Sequence, residues 1–344
     1  MKPILSHLSL LATFALASSM CFAQSNACLV REYSDTLTNV KSLKIDGQFS
    51  KIEIVGSTDN QLTVSGKLMS DKQDDAYQIV SENNNGELSL SIRFPAQGWT
   101  THSGEVLVKL PEGIQLNIIT TSGIVKLSEL KNIDATVSTR TGNIEIINTS
   151  GNLRTTTVTA ITRISNIKGN VTTASKGGAQ YIQDLVGDLS ASSTEGELRI
   201  TKVEGRLKTE TTSGNQTMLQ IQGPIVGKAV NGSIKISESS GEVVMVTFAG
   251  TMNIHNYKGV LNLQSTVGEQ VGSRVMLTGA SSFKTTEGRI RMQMSNTTDE
   301  LTFICKSATS FIQARGVSKK KNLKSGKGPI VITTETTTGG QVFN

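Results

Sequence analysis

The sequence predicts an all-β fold, a parallel β-solenoid (β-helix) with about 18 residues per coil. Three observations predict it. A glycine recurs every nine residues from Gly142 to Gly268, and Ala160, the next smallest residue, is the one exception. The apolar positions recur at eighteen residues instead of nine: Ile146, Ile164, Ile182, Ile200, Met218, Ile236 and Ile254 form one column, and Leu153, Val171, Leu189, Leu207, Ile225, Val243 and Leu261 form a second. Charged neighbours such as Glu145, Arg163, Arg199 and Lys235 stand one residue out of phase with the first column, so strand alternation sends them outward.

Two unlike nonapeptides therefore make one coil, each supplying a short strand. Stacked coils sit roughly 4.8 Å apart, so the seven coils between Gly142 and Gly268 span about 34 Å. Glycine suits a corner where φ turns positive or where a Cβ would strike the coil above. One coil cannot bury its own aliphatic residues, and stability comes from stacking on neighbours.

Taken in order, the chain opens as an export signal over residues 1–23. Lys2 supplies the positive start, Ile4 to Ala17 is a short apolar run, and Cys21-Phe22-Ala23 places small residues for cleavage after Ala23. Met20 before Cys21, and Ser25-Asn26-Ala27 before Cys28, argue against a lipid-modified cysteine. Residues 24–110 are an N-terminal β-rich region and cap. A polar lead runs from Gln24 to Thr38, and strands are expected at Val40 to Asp46, Lys51 to Gly56, Leu62 to Lys67, Gln78 to Ser81 and Glu87 to Phe94, with Asp46-Gly47 and Asn85-Gly86 as tight turns. Ser103 to Leu110 is a strand closed by the Pro111-Glu112-Gly113 turn. Residues 111–315 are the solenoid repeats, with Gly123 one residue out of frame and a two-residue slip to Gly279 and Gly288. Residues 316–344 are expected to form a basic loop at Lys319-Lys320-Lys321, Lys324 and Lys327, a closing strand at Gly328 to Thr334, and a loose tail from Thr336 to Asn344.

Removing residues 1–23 takes away one lysine and no acid, which leaves a net charge of +5 from the +6 of the whole chain. Aromatic residues total 4%, and no basic face interleaved with aromatics appears, so nucleic acid is not an expected partner. No later window carries the apolar length of a spanning helix. Cys28 and Cys305 remain after export, and in an oxidising compartment they are a possible disulfide.

The segments Thr120-Thr121-Ser122-Gly123-Ile124-Val125-Lys126-Leu127, Thr139-Arg140-Thr141-Gly142-Asn143-Ile144-Glu145-Ile146, Thr211-Thr212-Ser213-Gly214 and Ala229-Val230-Asn231-Gly232-Ser233-Ile234-Lys235-Ile236 repeat one pattern behind a strand-rich lead. Over roughly residues 40 to 315 the chain resembles the bacterial β-repeat family DUF4097 and related auto-transporter adhesin head-like domains. The resemblance implies a right-handed β-helix in the cell envelope with an unassigned, adhesin-like role. It implies no functional residue.

Chemistry is sparse. Outside the signal the histidines are His102 and His255, neither in an acid-base or metal pattern, and His255 follows the Ile254 column and should face solvent. Calcium-binding rolls need a glycine pair and an aspartate in every repeat, and aspartate is too scarce here for that mechanism. The charged segment Asp71 to Ala76 reads as a solvated loop. Glu195, Glu197, Glu204 and Glu210 are the nearest approach to the clustered carboxylates of a β-helical polysaccharide enzyme, and they read as outward decoration. Thr155 and Thr157, with Thr173 and Ser175, Ala191 and Ser193, Thr209 and Thr211, and Gly227 and Ala229, resemble an ice-binding array, but the series decays to alanine and glycine. Their parity matches the inward Leu153 column, so they read as small residues filling a narrow edge. The sequence thus predicts no catalytic residue, no cofactor and no metal. It points to an exported scaffold or interaction protein, in the periplasm, at the outer cell surface or outside the cell, whose partner is an envelope protein or a surface polysaccharide. A β-helical carbohydrate-active or polysaccharide-binding protein is the alternative.

Overall fold

The computed structural model describes residues 27–95 and 101–344, so the signal segment expected at 1–23 lies outside the described residues. Among the described residues every regular element is a strand except one 3-10 turn, Thr298–Glu300. The strands wind into a β-solenoid of about ten turns with roughly 18 residues per turn.

One coil illustrates the rest. Strand Leu198–Glu204 lies parallel between Gln180–Val186 and Gln216–Gln222, which places Ile200 beside Ile182 and Met218. After Gly205 the chain runs back as Leu207–Thr211, with Leu207 between Leu189 and Ile225. Ile146, Ile164, Ile182, Ile200, Ile236 and Ile254 are buried, as are Leu153, Leu189, Leu207 and Leu261. The threonine-rich positions are inside as well: Thr155, Thr173 and Thr209 are each 1% exposed, and Thr155 Oγ1 donates to Thr173 Oγ1 at 2.7 Å. An interior array cannot meet ice.

The cross-section has a third wall. Asn148, Asn166, Asp184, Lys202, Gln220, Glu238, Asn256 and Arg274, spaced by eighteen, all hold φ between 49° and 58°. This left-handed residue breaks strand alternation. Side chains three apart, such as Ile164 and Ile167 or Ile200 and Val203, then both point inward. Thr149, Ile167, Leu185, Val203, Ile221, Ser239, Tyr257 and Val275 form the resulting column, and all are buried.

Space is lacking at every glycine corner from Gly142 to Gly268, and ten of the fourteen also hold φ between 121° and 153°. A Cβ built on Gly178, Gly196 or Gly214 would run into the carbonyl of residue 160, 178 or 196, the corner of the preceding coil, although none of the three has a left-handed φ. The two-residue slip is absorbed between Leu277 and Ser281, where the stacking offset grows from eighteen to twenty. Polar braces cross the interior. Gln216, 1% exposed, accepts from Thr209 Oγ1 at 2.6 Å and donates to Thr211 Oγ1 and the Lys228 carbonyl, both at 2.8 Å, which satisfies a buried amide.

Both ends interleave. The first coil in sequence, Ser42–Asp46 with Ser50–Gly56, lies second in space: Glu87–Arg93 and His102–Leu110 cover one side of it, and Gln115–Thr120 and Val125–Ser128 the other. At the far end Ile330–Thr338 inserts between Ser281–Glu287 and Leu301–Ala314, and Gln341–Phe343 between Ile290–Met294 and Leu301–Ala314.

Three expectations are corrected here. The polar lead is a strand, Cys28–Leu37, paired antiparallel with Leu62–Ser70; its charges Arg31, Glu32 and Asp35 obscure the half-buried alternation of Val30, Tyr33 and Leu37. The basic loop is also a strand, Val317–Gly326, antiparallel to Leu301–Ala314. The tail is not loose: Phe343 is fully buried between Phe283 and Phe303, with ring centroids 6.1 and 5.4 Å away.

Candidate functional site

The left-handed column is also the most regular polar feature on the surface. Its backbone geometry turns each side chain outward at the inter-coil spacing, and successive side chains bond along the stack. Asn148 Nδ2 donates to Glu129 Oε1 at 2.6 Å, Asn166 Nδ2 to Asn148 Oδ1 at 2.7 Å, and Gln220 Nε2 to Glu238 Oε2 at 3.0 Å. Lys202 Nζ lies 3.3 Å from Asp184 Oδ1. These contacts are exposed, so they align the side chains and add little stability.

Beside the ladder runs a shallow groove of about 580 Å³. The ladder residues from Asn166 to Asn256 form one lip, Lys168, Val186, Glu204 and Gln222 form the other, and Ile167 and Leu185 lie beneath. Tyr257 sits in the buried column under the continuation of this surface. Its hydroxyl donates to the Gly241 carbonyl at 2.7 Å and shares the proton with Val260 O at 3.3 Å. Burial first, and then the Glu242 carboxylate, push its phenol above the ordinary value.

His255 stands on the outer face next to the ladder, partly exposed. Arg274 Nη2 lies 2.6 Å from its Nε2, and Ser273 Oγ 2.7 Å from its Nδ1. Because a guanidinium only donates, Nε2 accepts and the imidazole proton resides on Nδ1. His102 lies far off in the N-terminal cap, in an aromatic cluster with Phe94 at 4.8 Å, Phe49 at 5.5 Å and Tyr77 at 6.3 Å. The two histidines are not brought together.

Nor do the carboxylates converge. Glu195 and Glu197 flank the Gly196 corner, Glu204 lies on the groove lip, and Glu210 is on the opposite sheet, all exposed. Asp74 and Asp75 organise their own loop, through the Ala76 N–H at 2.8 Å and Arg31 at 2.9 Å. Among the described residues no three His, Cys, Asp or Glu side chains gather closely enough to hold a metal, and no helix is long and apolar enough to cross a membrane.

The possible disulfide is corrected. Cys28 lies on the outermost strand at the N-terminal end, opposite Ser70, and Cys305 is buried at the other end beside Thr334. Many coils at roughly 4.8 Å each separate them, against the roughly 5.5 Å between Cα atoms that a disulfide spans. No bridge joins them.

The sequence reading passed over the ladder and the third buried wall. Their signal was present: an apolar column at Ile167, Leu185, Val203 and Ile221 three residues after the first column, an odd spacing that simple alternation forbids unless a left-handed residue intervenes.

Fold and surface together define a β-solenoid with a polar groove and no assembled reaction centre among the described residues. The chain belongs to the Toastrack DUF4097 family, whose model matches residues 40–223. No curated protein matches it. Among solved structures it is similar to a "putative cell adhesion protein" from Clostridium sporogenes, at 13% identity, TM-score 0.21, covering 91% of this chain and 98% of that one. It is also similar to a "putative adhesin" from Parabacteroides merdae, at 16% identity, TM-score 0.33, covering 64% and 95%. A third is a "putative lipid binding protein" from Parabacteroides distasonis, at 14% identity, TM-score 0.30, covering 76% and 96%.

Proposed function

We propose that this protein is a non-catalytic, exported scaffold that holds an extended polar partner along the groove. The partner is a surface polysaccharide or an envelope protein, met in the periplasm, at the outer cell surface or outside the cell. The observation that carries this reading is the ladder. Eight consecutive coils present hydrogen-bonding side chains at one spacing, with charges of both signs, beside a groove too open to exclude water. Such a lattice suits a partner that repeats along its own length. It does not suit chemistry on one bond, which needs a nucleophile or acid-base pair held within hydrogen-bond reach.

The test is binding of isolated envelope polysaccharides and envelope extracts to the wild type and to the triple variant Asn166→Ala, Asp184→Ala, Lys202→Ala. Retention by the wild type, weakened at least tenfold in the variant, is expected. Equal retention by both proteins, or none by either, overturns the role of the groove, and turnover of a polysaccharide overturns the non-catalytic reading.

A further inference from the structure

The two ends of the solenoid carry opposite charge and the same unfinished edge. Residues 24–110 contain eight basic and eleven acidic side chains, a net of −3, whereas residues 301–344 contain seven basic and one acidic, a net of +6. The stretch between, residues 111–300, has eighteen against sixteen and is close to balanced. The molecule is therefore electrically polar along its axis.

Each end finishes on strands paired on one side only among the described residues. At the N-terminal end these are Cys28–Leu37, which pairs with Leu62–Ser70, and Gln78–Asn84, which pairs with Glu87–Arg93. At the C-terminal end it is Val317–Gly326, which pairs with Leu301–Ala314. All three run antiparallel to the strand they cover, and their outer edges keep backbone donors and acceptors available to another strand. Lysine on an edge is a known guard against unwanted pairing. Each end also displays apolar side chains, as the shaft does at Val186 and Phe248, so these supply contact area while the charges supply the polarity. Phe311 is 59% exposed under the ammonium of Lys320, 5.1 Å from the ring centroid, Val317 is 41% exposed at the hairpin tip, and Leu29 is 43% exposed on the opposite end.

We propose that copies of this chain associate head to tail, the lysine strand Val317–Gly326 of one molecule docking on the acidic N-terminal edge of the next. Charge selects the polarity, because two basic ends or two acidic ends repel and only unlike ends attract. The contact is heterologous: the surface used on one copy differs from the surface used on the next. When such a contact lies along the solenoid axis it does not close into a ring, and it propagates as a filament. Glu32, Asp71 and Glu82 on the acidic end face Lys319, Lys320 and Lys324 of the neighbour. This assembly is independent of the groove, so either reading can fail alone.

The experiment follows particle length by sedimentation velocity and electron microscopy, using the full chain expressed with its own leader. At low salt, rods that lengthen with concentration are expected, and they disperse at high salt as screening shortens the reach of the charges to a few ångströms. The variant Lys319→Glu, Lys320→Glu, Lys324→Glu should weaken association roughly tenfold or more. Mixing it with Asp71→Lys, Glu82→Lys chains should restore pairing at the doubly reversed junction, which also shows that both variants are folded. Single particles at every concentration, rods indifferent to salt or to charge reversal, side-by-side contacts, or a lysine strand that binds only added anionic polymers or vesicles would each overturn the proposal.

Discussion

Replacing corner glycines with alanine separates crowding from backbone conformation. At Gly196 the backbone is outside the left-handed region, yet an added Cβ would stand well inside 3.0 Å of the Gly178 carbonyl, an approach that real Cβ atoms essentially never make. To relieve it the two coils must part locally. The bonds at risk are the backbone bonds that join these two coils at the corner, Thr194 N–H to Ser175 O at 3.1 Å, Glu195 N–H to Lys176 O at 2.7 Å and Gln180 N–H to Glu197 O at 2.9 Å. Losing two or three of these at about 1 kcal/mol each gives a cost of roughly 2–3 kcal/mol. Gly113 is the converse: its φ is +75°, but nothing lies within 4 Å of an added Cβ, so Gly113→Ala should cost only the left-handed penalty of about 1–2 kcal/mol. Gly205, with φ +147° and the Gly187 carbonyl in the way, combines both, and Gly205→Ala should cost roughly 3–5 kcal/mol. Urea unfolding followed by circular dichroism, with free energies extrapolated linearly, ranks the three. Ala160 occupies the same corner one coil below Gly178, so some relaxation is possible. If Gly196→Ala costs less than Gly113→Ala, relaxation is general and crowding does not explain the ladder.

Ile200→Asp and Leu207→Asp bury an unpaired charge and should each cost more than about 4 kcal/mol, while Arg199→Asp on the outer face should stay within about 0.5 kcal/mol; equal melting temperatures for all three would invalidate the columns. Phe343→Ala should lose about 3–5 kcal/mol, because the ring fills the space between Phe283 and Phe303; no change in the unfolding midpoint would contradict the buried tail. Tyr257 is held above its ordinary value of 10.0 by burial and by Glu242, so folding favours the neutral phenol. That contribution is complete below about pH 10 and is lost as pH rises toward the folded value. Melting temperature should therefore fall less steeply above pH 10 in Tyr257→Phe than in the wild type, and parallel curves would argue against a buried neutral phenol.

The solenoid was legible because its cause is periodic. Gly196 and Gly214 are required by collision with the same atom one coil back, and Ile200 and Leu207 by the same neighbours, so each rule repeats every eighteen residues. What stayed hidden is what breaks a period. The kink at Lys202 places Val203 inward against alternation, and lysine carries no left-handed preference of its own to announce it. The strands Cys28–Leu37 and Val317–Gly326 were concealed because each covers the stack on one side and keeps charge on the other. Phe343 could not be placed from sequence, since its rung lies between coils that precede it in the chain. The ladder surface was readable only after the kink was known, because its members share a backbone angle and not a residue type.

The interleaving at the C-terminal end governs how the molecule would bear load. A pull transmitted through Asn344 reaches Gln341–Phe343 and then Ile330–Thr338, strands gripped by a neighbour on each side. An outermost strand peels, and its bonds break one after another under a small force. A strand held from both sides must slide, so its bonds strain together and fail together. Tension entering through Asn344 is thus carried by the interior of the stack, with the outer rung acting as a clamp.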